Sequence, residues 1–394
     1  MKKKYSLSLV ITLMLMASAF TWAMLNIIIG YPFGAYSNRS GAVRDFAALL
    51  TRIDELYIGD YDESYVADFA MRSAVYALGD EWSFYMSPEE YTMYLESSYN
   101  MYEGLGFIVG PDEEIDGLKV LNVYSGSAAE AAGFVVGDVI LAVDGADASG
   151  FTSDDLRDAL ARQIGDIVEL TILRDRSRVM ELLAVYSYVY LEPVKHEMLD
   201  GGIGYVQILN FNERAAQGFI AAVEDLIEQG ARAFIYDVRG NPGGWVTEVT
   251  GMLDFLLPEG DIFVAVDRNG TESVTVSGPG SLDIPAVVLV DRHSYSGSEY
   301  FAAMLMEYRY AQSVGERTYG KGRMQKTVEL PGGGALNISF SEYLTKNRMS
   351  LHDAGGLVPH FLIELTEAEM ELFYAGALEK EDDPHIRKAL AILG

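Results

Sequence analysis

From about residue 186 onwards, short apolar runs alternate with amphipathic segments, and no other feature limits the fold class as strongly. The runs "ARAFIYDVRG" (231–240) and "IPAVVLVD" (284–291) are apolar on both faces, as strands covered on both sides are. Amphipathic segments such as "ERAAQGFIAAVEDLIEQG" (213–230) lie between such runs. This alternation predicts an α/β layer with a partly parallel sheet.

The first half of the chain shows two other patterns. Between residues 41 and 79, apolar side chains recur at three- and four-residue spacing, which predicts amphipathic helices. Another helix is expected to begin at Ser87-Pro88, where Glu90 occupies the capping-box position. Residues 100–185 consist of short apolar runs separated by turn residues, with two short helical segments. That pattern predicts a small β-rich domain.

The expected fold class is therefore a multidomain α+β and α/β chain. The segments "EAEMELFYAGALE" and "PHIRKALAIL" predict two further helices near the C-terminus. The expected divisions are an apolar N-terminal segment (1–30), a helical region (31–99), a β-rich domain (100–185), an α/β core (186–365) and a C-terminal helical region (366–394).

The N-terminus carries a targeting signal. Three lysines at positions 2–4 precede an uncharged stretch from Tyr5 to Tyr36, which is long enough to span a bilayer. The positive flank stays inside, so the remainder is expected outside the cytoplasm. We expect an uncleaved single-pass anchor in a bacterial cell membrane. Cleavage after Ala17-Ser18-Ala19, followed by secretion, is the alternative.

Charge and composition exclude some functions. The net charge of −29 argues against nucleic acid as a partner, because the phosphate backbone would be repelled. The absence of cysteine excludes disulfides and thiolate catalysis. The five histidines are scattered without a paired ligand spacing, so neither a metal nor another cofactor is expected.

The segment "YDVRGNPGGWVTE" (236–248) is a candidate functional turn, because functional residues collect where strands of a parallel sheet end. Gly243 and Gly244 permit close backbone approach. Their N–H groups would lie at a helix N-terminus, which suits an oxyanion hole. An ordinary turn is the simpler alternative.

The segment "VVLVDRHSYSGSEYFAAML" (287–305) ends a second apolar run in three serines, Ser294, Ser296 and Ser298. A serine here can cap the following helix. A catalytic serine instead needs a base within hydrogen-bond reach. His293 is adjacent, but a three-residue offset from Ser296 rarely lets a histidine turn back onto the hydroxyl.

Lysine is the other candidate base. In "ERTYGKGRMQKTVEL" (316–330), Lys321 lies between Gly320 and Gly322, which let the backbone pack closely and direct one side chain inward. A lysine base must be neutral, and burial lowers its pKa. Gln325 could orient the amine by hydrogen bonding. A solvated loop lysine is the simpler alternative.

Taken together, these segments resemble the carboxy-terminal processing (tail-specific) proteases, which are serine endopeptidases with a Ser–Lys dyad. The match rests on the serine segment followed 25 residues later by the lysine of "TYGKGRMQ", with "DVRGNPGG" before both. The resemblance implies Ser296 as nucleophile, Lys321 as general base and Gln325 as the residue that orients it. It also implies an oxyanion hole formed by Gly243 and Gly297, although spacing alone leaves Gly243 and Gly244 both open.

The resemblance extends over about residues 45–365 and implies that residues 100–185 form a PDZ domain. There "GLGFIV" is similar to a carboxylate-binding loop, with Gly104, Leu105, Gly106 and Phe107 as the implied peptide-binding residues. A glycine-rich turn before a strand presents N–H groups to a terminal carboxylate, and the strand edge pairs with an extended peptide. "DEWSFYMSPEEYTMYLES" looks like the segment that precedes this domain in the family.

The chain departs from the family pattern at several positions. Tyr295 and Gly297 stand where alanine is common, and Tyr295 adds bulk beside the implied nucleophile. Val135-Val136 replaces a turn that usually carries a proline or a basic residue, which puts charge-based gating at that turn in doubt.

The sequence thus predicts a membrane-anchored extracytoplasmic serine endopeptidase that cleaves proteins near their C-termini. Its expected partners are protein or peptide substrates with an apolar C-terminal tail, which the PDZ domain would bind, and a homodimer through the terminal helices is possible. The alternative is a catalytically silent PDZ scaffold or substrate-holding adaptor.

Overall fold

A computed structural model describes residues 40–112 and 114–394. The chain divides into two compact units, one ending at Phe69 and the other running from Ala70 to Gly394. The predicted anchor, residues 1–30, lies outside the described residues. Within the described ranges, no helix is both long enough and apolar enough to cross a membrane.

The predicted helices between residues 41 and 79 are confirmed as α1 (Ser40–Leu56) and α2 (Glu63–Tyr76). α2 begins after Asp62, whose carboxylate accepts a hydrogen bond from the N–H of Ser64 at 2.8 Å. An acidic cap of this kind satisfies backbone donors that the first helical turn leaves free.

The next helix, α3 (Pro88–Ser98), also begins where the sequence predicts. Ser87 N donates to Glu90 Oε2 at 2.9 Å, and Glu90 N donates to Ser87 Oγ at 3.3 Å, so the predicted capping box is present. A short strand, β1 (Phe84–Met86), leads directly into this helix.

The β-rich domain is built around one antiparallel sheet with the order β3-β4-β5-β7-β8, in which β6 pairs with β5. Its strands are β3 (Phe107–Pro111), β4 (Leu118–Val123), β5 (Val139–Val143), β6 (Ala146–Asp147), β7 (Ile167–Arg174) and β8 (Arg178–Val185), and its helices are α4 (Ala128–Ala132) and α5 (Ser153–Leu160). Two flanking strands, β2 (Met101–Gly104) and β9 (Ser187–Tyr190), pair with each other where the chain enters and leaves the domain. Val120, Ile140 and Leu170 are fully buried in its core.

The α/β core contains a six-stranded sheet with the order β10-β11-β12-β15-β16-β19. Its strands are β10 (Val194–Leu199), β11 (Ile203–Ile208), β12 (Ala233–Asp237), β15 (Ala286–Val290), β16 (Ala311–Gly315) and β19 (Phe361–Leu362), with helices α6 (Ala215–Glu228), α7 (Val246–Leu256) and α8 (Gly297–Glu307). All neighbours are parallel except β10 and β11. The predicted partly parallel sheet is therefore confirmed.

A second sheet, which the sequence pattern did not predict, lies within the same core region and has the order β1-β18-β13-β14, with β17 paired to β18. Its further strands are β13 (Asp261–Asp267), β14 (Glu272–Val276), β17 (Arg323–Glu329) and β18 (Ala335–Leu344). β1 comes from the segment before the β-rich domain and pairs with β18, as in the register of Phe84 with Asn337. The sheet thereby joins sequence-distant segments.

The strand order explains where the two candidate turns meet. β12 and β15 are parallel neighbours, so their carboxyl ends lie at the same edge of the sheet. The turn after β12 carries Gly243 and Gly244, and the turn after β15 carries Ser296. The carboxyl ends of parallel strands are where α/β proteins place their binding and catalytic sites.

Two helices end the chain and pack near these strand ends. They are α9 (Glu367–Tyr374) and α10 (Pro384–Leu393). Asp383 caps α10, accepting the N–H of His385 at 2.8 Å. The same carboxylate pairs with Arg239 at 2.8 Å, and Arg239 pairs with Asp237 at 2.6 Å, all three being buried. Burial opposes ionisation of Asp237, but Arg239 outweighs it and lowers the pKa of Asp237.

Replacing Asp383 with alanine is expected to lower the free energy of unfolding by about 3 kcal/mol, because the substitution removes a helix cap and half of the pairing of a buried arginine. Asp382→Ala is the matched control, since Asp382 is exposed and its change is expected to stay within about 0.5 kcal/mol. Urea unfolding of both variants measures the difference. Equal stabilities would show that the buried cluster does not hold α10.

Candidate active site

Ser296 lies at a strained turn between a strand and a helix. β15 ends at Val290, and α8 begins at Gly297. Ser296 has φ 59° and ψ −120°, a conformation that a non-glycine residue keeps only when its surroundings impose it. Its N–H donates to Glu299 Oε2 at 2.9 Å. A strained serine at such a turn is how α/β folds expose a nucleophile.

The other two serines have structural partners. Ser294 Oγ donates to the carbonyl oxygen of Val238 at 2.7 Å, and Ser298 Oγ donates to that of Asn241 at 2.8 Å. Both are fully buried. Of the serines that could cap the following helix, Ser296 and not Ser298 occupies the N-cap position. Ser294 and Ser298 instead tie the two turns together, which leaves Ser296 facing the cavity.

His293 points away from this arrangement. Its ring meets that of Tyr374 edge-on, with 5.3 Å between the ring centroids. The backbone N–H of His293 donates to Asp291 Oδ1 at 3.0 Å. Of the described residues, His293 is not among those that line the cavity around Ser296. This placement agrees with the sequence argument against it as a base.

The glycine turn packs directly against Ser296. A Cβ at Gly243, where φ is 91°, would lie 2.8 Å from Ser296 Cβ and 2.9 Å from Gly297 N, so only glycine fits. The N–H of Gly243, however, donates to Asn241 Oδ1 at 2.8 Å. The hydrogen of Gly243 is thus engaged in this structure, and the assignment of Gly243 as an oxyanion donor stays a prediction. Among the described groups, the N–H groups of Gly244 and Gly297 have no hydrogen-bond partner.

Glu299 connects the serine turn to the lysine turn. Its Oε1 accepts from Thr318 Oγ1 at 2.5 Å and from Gly320 N at 2.7 Å, and its Oε2 accepts from Lys321 N at 2.9 Å in addition to Ser296 N. Burial raises the pKa of Glu299, while these four hydrogen bonds oppose the rise. Sequence reasoning missed this carboxylate, although its position three residues after Ser296 is typical of a helix N-terminus.

The glycines beside Lys321 allow close packing, as predicted. A Cβ at Gly320, where φ is 99°, would lie 2.9 Å from Gly356 N. A Cβ at Gly322 would lie 2.9 Å from His352 Cβ. The backbone around Lys321 therefore contacts a neighbouring loop on both sides, and the lysine side chain is directed inward.

Burial determines the proton affinity of Lys321. It lowers the pKa of Lys321 to about 8, although the negative charges of Asp80, Glu299 and Glu81 act in the opposite direction. The side chain of Lys321 is half-buried, which does not favour a fully solvated loop lysine. Lys321 Nζ lies 4.4 Å from the ring centroid of Trp82, and no hydrogen bond joins it to Ser296 in the described part of the chain.

Among the described residues Gln325 makes no hydrogen bond to Lys321, and its role in orienting the lysine stays a prediction. Its Nε2 donates to the carbonyl oxygen of Arg323 at 3.0 Å and to Ser339 Oγ at 3.1 Å. These partners belong to β17 and β18, so the amide stabilises the hairpin. The side chain in contact with Lys321 is that of Trp82, which sequence reasoning did not single out.

A cavity of about 520 Å³ brings the predicted residues together. Ser296, Gly297, Gly243, Lys321 and Gln325 all line it. Further apolar lining comes from Phe84, Val249, Phe263 and Met324. Tyr295 also faces this cavity and so occupies part of its wall, as its bulk suggested. An extended peptide with small or apolar side chains would suit such walls.

The predicted peptide-binding residues run from the end of β2 to the start of β3 in the β-rich domain. Leu105 is buried in the domain core, and Phe107 packs against it. Gly106 has φ 94°, and a Cβ there would lie 2.3 Å from Ser127 Cβ. Gly104 ends β2. Within the described ranges β3 pairs only with β4, which leaves its other edge open to an added strand.

Comparison with known proteins agrees with this organisation. Residues 202–363 match peptidase family S41, and residues 119–174 match the PDZ domain family. A solved structure of an S41-family protein from Bacteroides fragilis covers 85% of this chain and 92% of its own, with a TM-score of 0.52 and 18% identity. That likeness shows a shared fold.

Similar sequences include three processing proteases. The carboxyl-terminal-processing protease of Synechocystis sp. is 30% identical over 309 residues, which are 77% of this chain and 71% of that protein. The chloroplastic carboxyl-terminal-processing peptidase 1 of Arabidopsis thaliana is 31% identical over 305 residues, 74% of this chain and 61% of that protein. The carboxy-terminal processing protease CtpA of Bacillus subtilis is 29% identical over 314 residues, 79% of this chain and 66% of that protein. The chain therefore belongs to the carboxyl-terminal-processing proteases of peptidase family S41, which are serine-type peptidases with a PDZ domain.

Proposed function

We propose that this protein is a membrane-anchored, extracytoplasmic serine endopeptidase that cleaves proteins near their C-termini with a Ser296–Lys321 dyad. The observation that carries the proposal is a half-buried lysine, with its pKa lowered to about 8, in the same cavity as a strained serine. A lysine with this pKa is neutral in a useful fraction of molecules near neutral pH and can accept a proton.

In the proposed mechanism, neutral Lys321 removes the proton from Ser296 Oγ as the oxygen attacks the scissile carbonyl carbon. The N–H groups of Gly297 and Gly244 stabilise the resulting oxyanion. Lys321 then gives its proton to the leaving amine, and the peptide C–N bond breaks. The same lysine activates a water molecule that hydrolyses the acyl-enzyme and releases Ser296. No cofactor is needed for these steps.

The PDZ domain is the proposed binding site for the substrate tail. The open edge of β3 can pair with an extended peptide, and the turn at Leu105-Gly106 can receive the terminal carboxylate. The relatives named above are called carboxyl-terminal-processing proteases, which favours a C-terminal tail as ligand. We propose an apolar tail as the substrate, because the mainly apolar walls of the cavity at Ser296 favour apolar side chains beside the scissile bond.

The N-terminal segment supports the proposed location. Lys2–Lys4 followed by an uncharged apolar stretch is typical of a single-pass anchor with the remainder outside the cytoplasm. The alternative of cleavage and secretion predicts a shorter mature chain, so the mass of the purified protein decides between them. The apolar side chains of Val43, Leu49 and Leu56 are more than half exposed on α1, which supports pairing of two copies through this helix.

Replacing Ser296 with alanine or Lys321 with methionine is expected to reduce kcat/KM for an unfolded protein with an apolar C-terminus by at least about 1000-fold. Both losses follow because neither member of the dyad works alone. The measurement is the appearance of cleaved product by mass spectrometry, with the full chain.

Lys326→Met is the matched control, because Lys326 is an exposed lysine on the neighbouring strand and its loss should leave kcat/KM unchanged. Activity that persists in Lys321→Met but disappears in His293→Ala would contradict the dyad.

The rate should rise with pH. Since Lys321 must be neutral to act, and its pKa is about 8, kcat/KM is expected to rise about tenfold per pH unit below pH 7 and to level off above pH 9. Initial rates from pH 5 to 10 with a substrate that lacks titratable groups near the cleavage site measure this profile. A flat profile would exclude lysine as the base.

Replacing Glu299 with glutamine is expected to lower kcat by about 100-fold, with KM little changed, because an amide cannot accept all four hydrogen bonds that position the two turns. Loss of its negative charge also lowers the pKa of Lys321, so the midpoint of the pH profile should move below 8.

Glu307→Gln on the same helix is the control. Its carboxylate accepts from Thr345 Oγ1 at 2.6 Å and from Asn347 N at 2.9 Å, away from the cavity. An unshifted midpoint in Glu299→Gln would mean that this carboxylate does not act on Lys321.

A further inference from the structure

The side chain of Lys321 rests on an aromatic face. Its Nζ lies 4.4 Å from the ring centroid of Trp82, within the range of a cation–π interaction, for which tryptophan is the strongest partner. Of the residues that the structure describes, those lining the cavity around Ser296 include Lys321 but not Trp82. Trp82 therefore contacts the lysine without itself lining that cavity.

Several contacts hold the Trp82 ring in place. The carbonyl oxygen of Trp82 accepts Asn337 Nδ2 at 3.3 Å, and the next residue, Ser83, accepts the N–H of Ser339 at 3.0 Å on its hydroxyl. The ring of Tyr319 meets that of Trp82 edge-on at 5.4 Å. The segment before β1 is thus bound to β18 on one side and to the lysine turn on the other.

The choice of tryptophan here needs an explanation beyond packing. Its Nε1 is buried and has no hydrogen-bond partner among the described residues. A buried donor without a partner costs stability, and leucine or phenylalanine would fill similar space without that cost. The indole face is turned to the lysine. Leucine has no such face, and the face of phenylalanine attracts a cation less strongly.

The other charged and titratable groups near Lys321 come from four segments. Asp80 and Glu81 precede Trp82, Glu299 lies on α8, and each favours the protonated lysine. Arg323, on β17, neutralises part of this effect by pairing with Asp80 at 3.1 Å. Tyr343 on β18 donates its hydroxyl to the Lys321 carbonyl oxygen, and burial raises its pKa, so it stays neutral in the relevant range.

Trp82 acts on Lys321 in two opposite ways. The bulk of the ring keeps water from the amine, which favours the neutral form. The negative face of the ring attracts the ammonium, which favours the charged form. The two effects are separable, because an aliphatic side chain keeps much of the first and none of the second.

We propose that Trp82 is a positioning residue for Lys321, and that its indole face holds the protonated side chain apart from Ser296 in the resting enzyme and releases it to Ser296 on deprotonation. The inference rests on the proposed Ser296–Lys321 dyad. It assigns the hold on the lysine to an aromatic ring rather than to Gln325.

The first test compares the pH profiles of kcat/KM for three substitutions in the full chain. Trp82→Leu keeps an apolar cover but removes the ring face, so the midpoint is expected to fall by about one pH unit. Trp82→Ala admits water to the amine, so the midpoint should rise by a similar amount. Trp82→Phe retains a weaker face and should lie between Leu and the unchanged protein. Midpoints unchanged in all three, or shifted in one common direction, would overturn the proposal.

A second test reads the contact without any turnover. The chain has three tryptophans, so the Trp22→Phe/Trp245→Phe variant leaves Trp82 as the only indole. Its emission is expected to shift between pH 6 and 9 with the midpoint of Lys321, because the charge of the ammonium acts on the ring. The shift should vanish when Lys321→Met is added. Emission that is independent of pH, or a shift that survives Lys321→Met, would overturn the proposal.

A matched control removes a similar pair elsewhere. Lys388 Nζ lies 4.1 Å from the ring centroid of Phe361, and Phe361→Leu should leave the pH midpoint unchanged. The design separates two failures. Full activity in Lys321→Met would refute the proposed dyad itself. An inactive Lys321→Met together with unshifted Trp82 variants would refute only the assignment to Trp82.

Discussion

One buried carboxylate holds the geometry of the site. Glu299 accepts the N–H groups of Ser296, Gly320 and Lys321 and the hydroxyl of Thr318. Ser296 and Lys321 belong to different turns, and neither turn is regular structure that would place its side chain by itself. Because the Glu299 carboxylate accepts hydrogen bonds from both turns, it fixes the position of one backbone relative to the other. The strained backbone of Ser296 is sustained by the same bonds, since its N–H is one of the four donors.

The position of the Glu299 carboxylate also limits how far burial can lower the pKa of Lys321. A charge close enough to bind the Lys321 backbone is close enough to favour the ammonium, and Asp80 and Glu81 add to it. Burial must therefore outweigh three carboxylates before Lys321 can become neutral near neutral pH, and it lowers the pKa only to about 8. A site that relied on burial alone would lower the pKa of Lys321 further. It would, however, lose the hydrogen bonds to Glu299 that position the lysine turn.

The sequence predicts the parts of this site that depend on local pattern. Apolar runs identify β12 and β15, and the parallel order of the sheet then brings the two turns that follow them together. Ser296 and Lys321 follow from a family resemblance that residue spacing alone could not supply. Trp82 was missed because its contact with Lys321 joins segments far apart in the chain. The sequence also could not show that the amide of Gly243 donates a hydrogen bond to the side chain of Asn241, two residues earlier.

The turn after β12, which carries Gly243 and Gly244, is held by contacts with the C-terminal helices. Gly240 N donates to Asp291 Oδ1 at 3.0 Å, and the other oxygen of Asp291 accepts the hydroxyl of Tyr374 at 2.6 Å. Arg239, the residue before Gly240, is held by Asp383 at the start of α10. The turn that follows β12 is therefore supported from the C-terminal side, while the lysine is covered by the segment before β1. The contacts that hold the turn after β12 and the segment that covers the lysine therefore come from different parts of the chain. Under the proposed mechanism, a substitution among the C-terminal contacts can alter kcat and leave the pH midpoint in place. A substitution in the segment before β1 can move the pH midpoint and leave kcat in place.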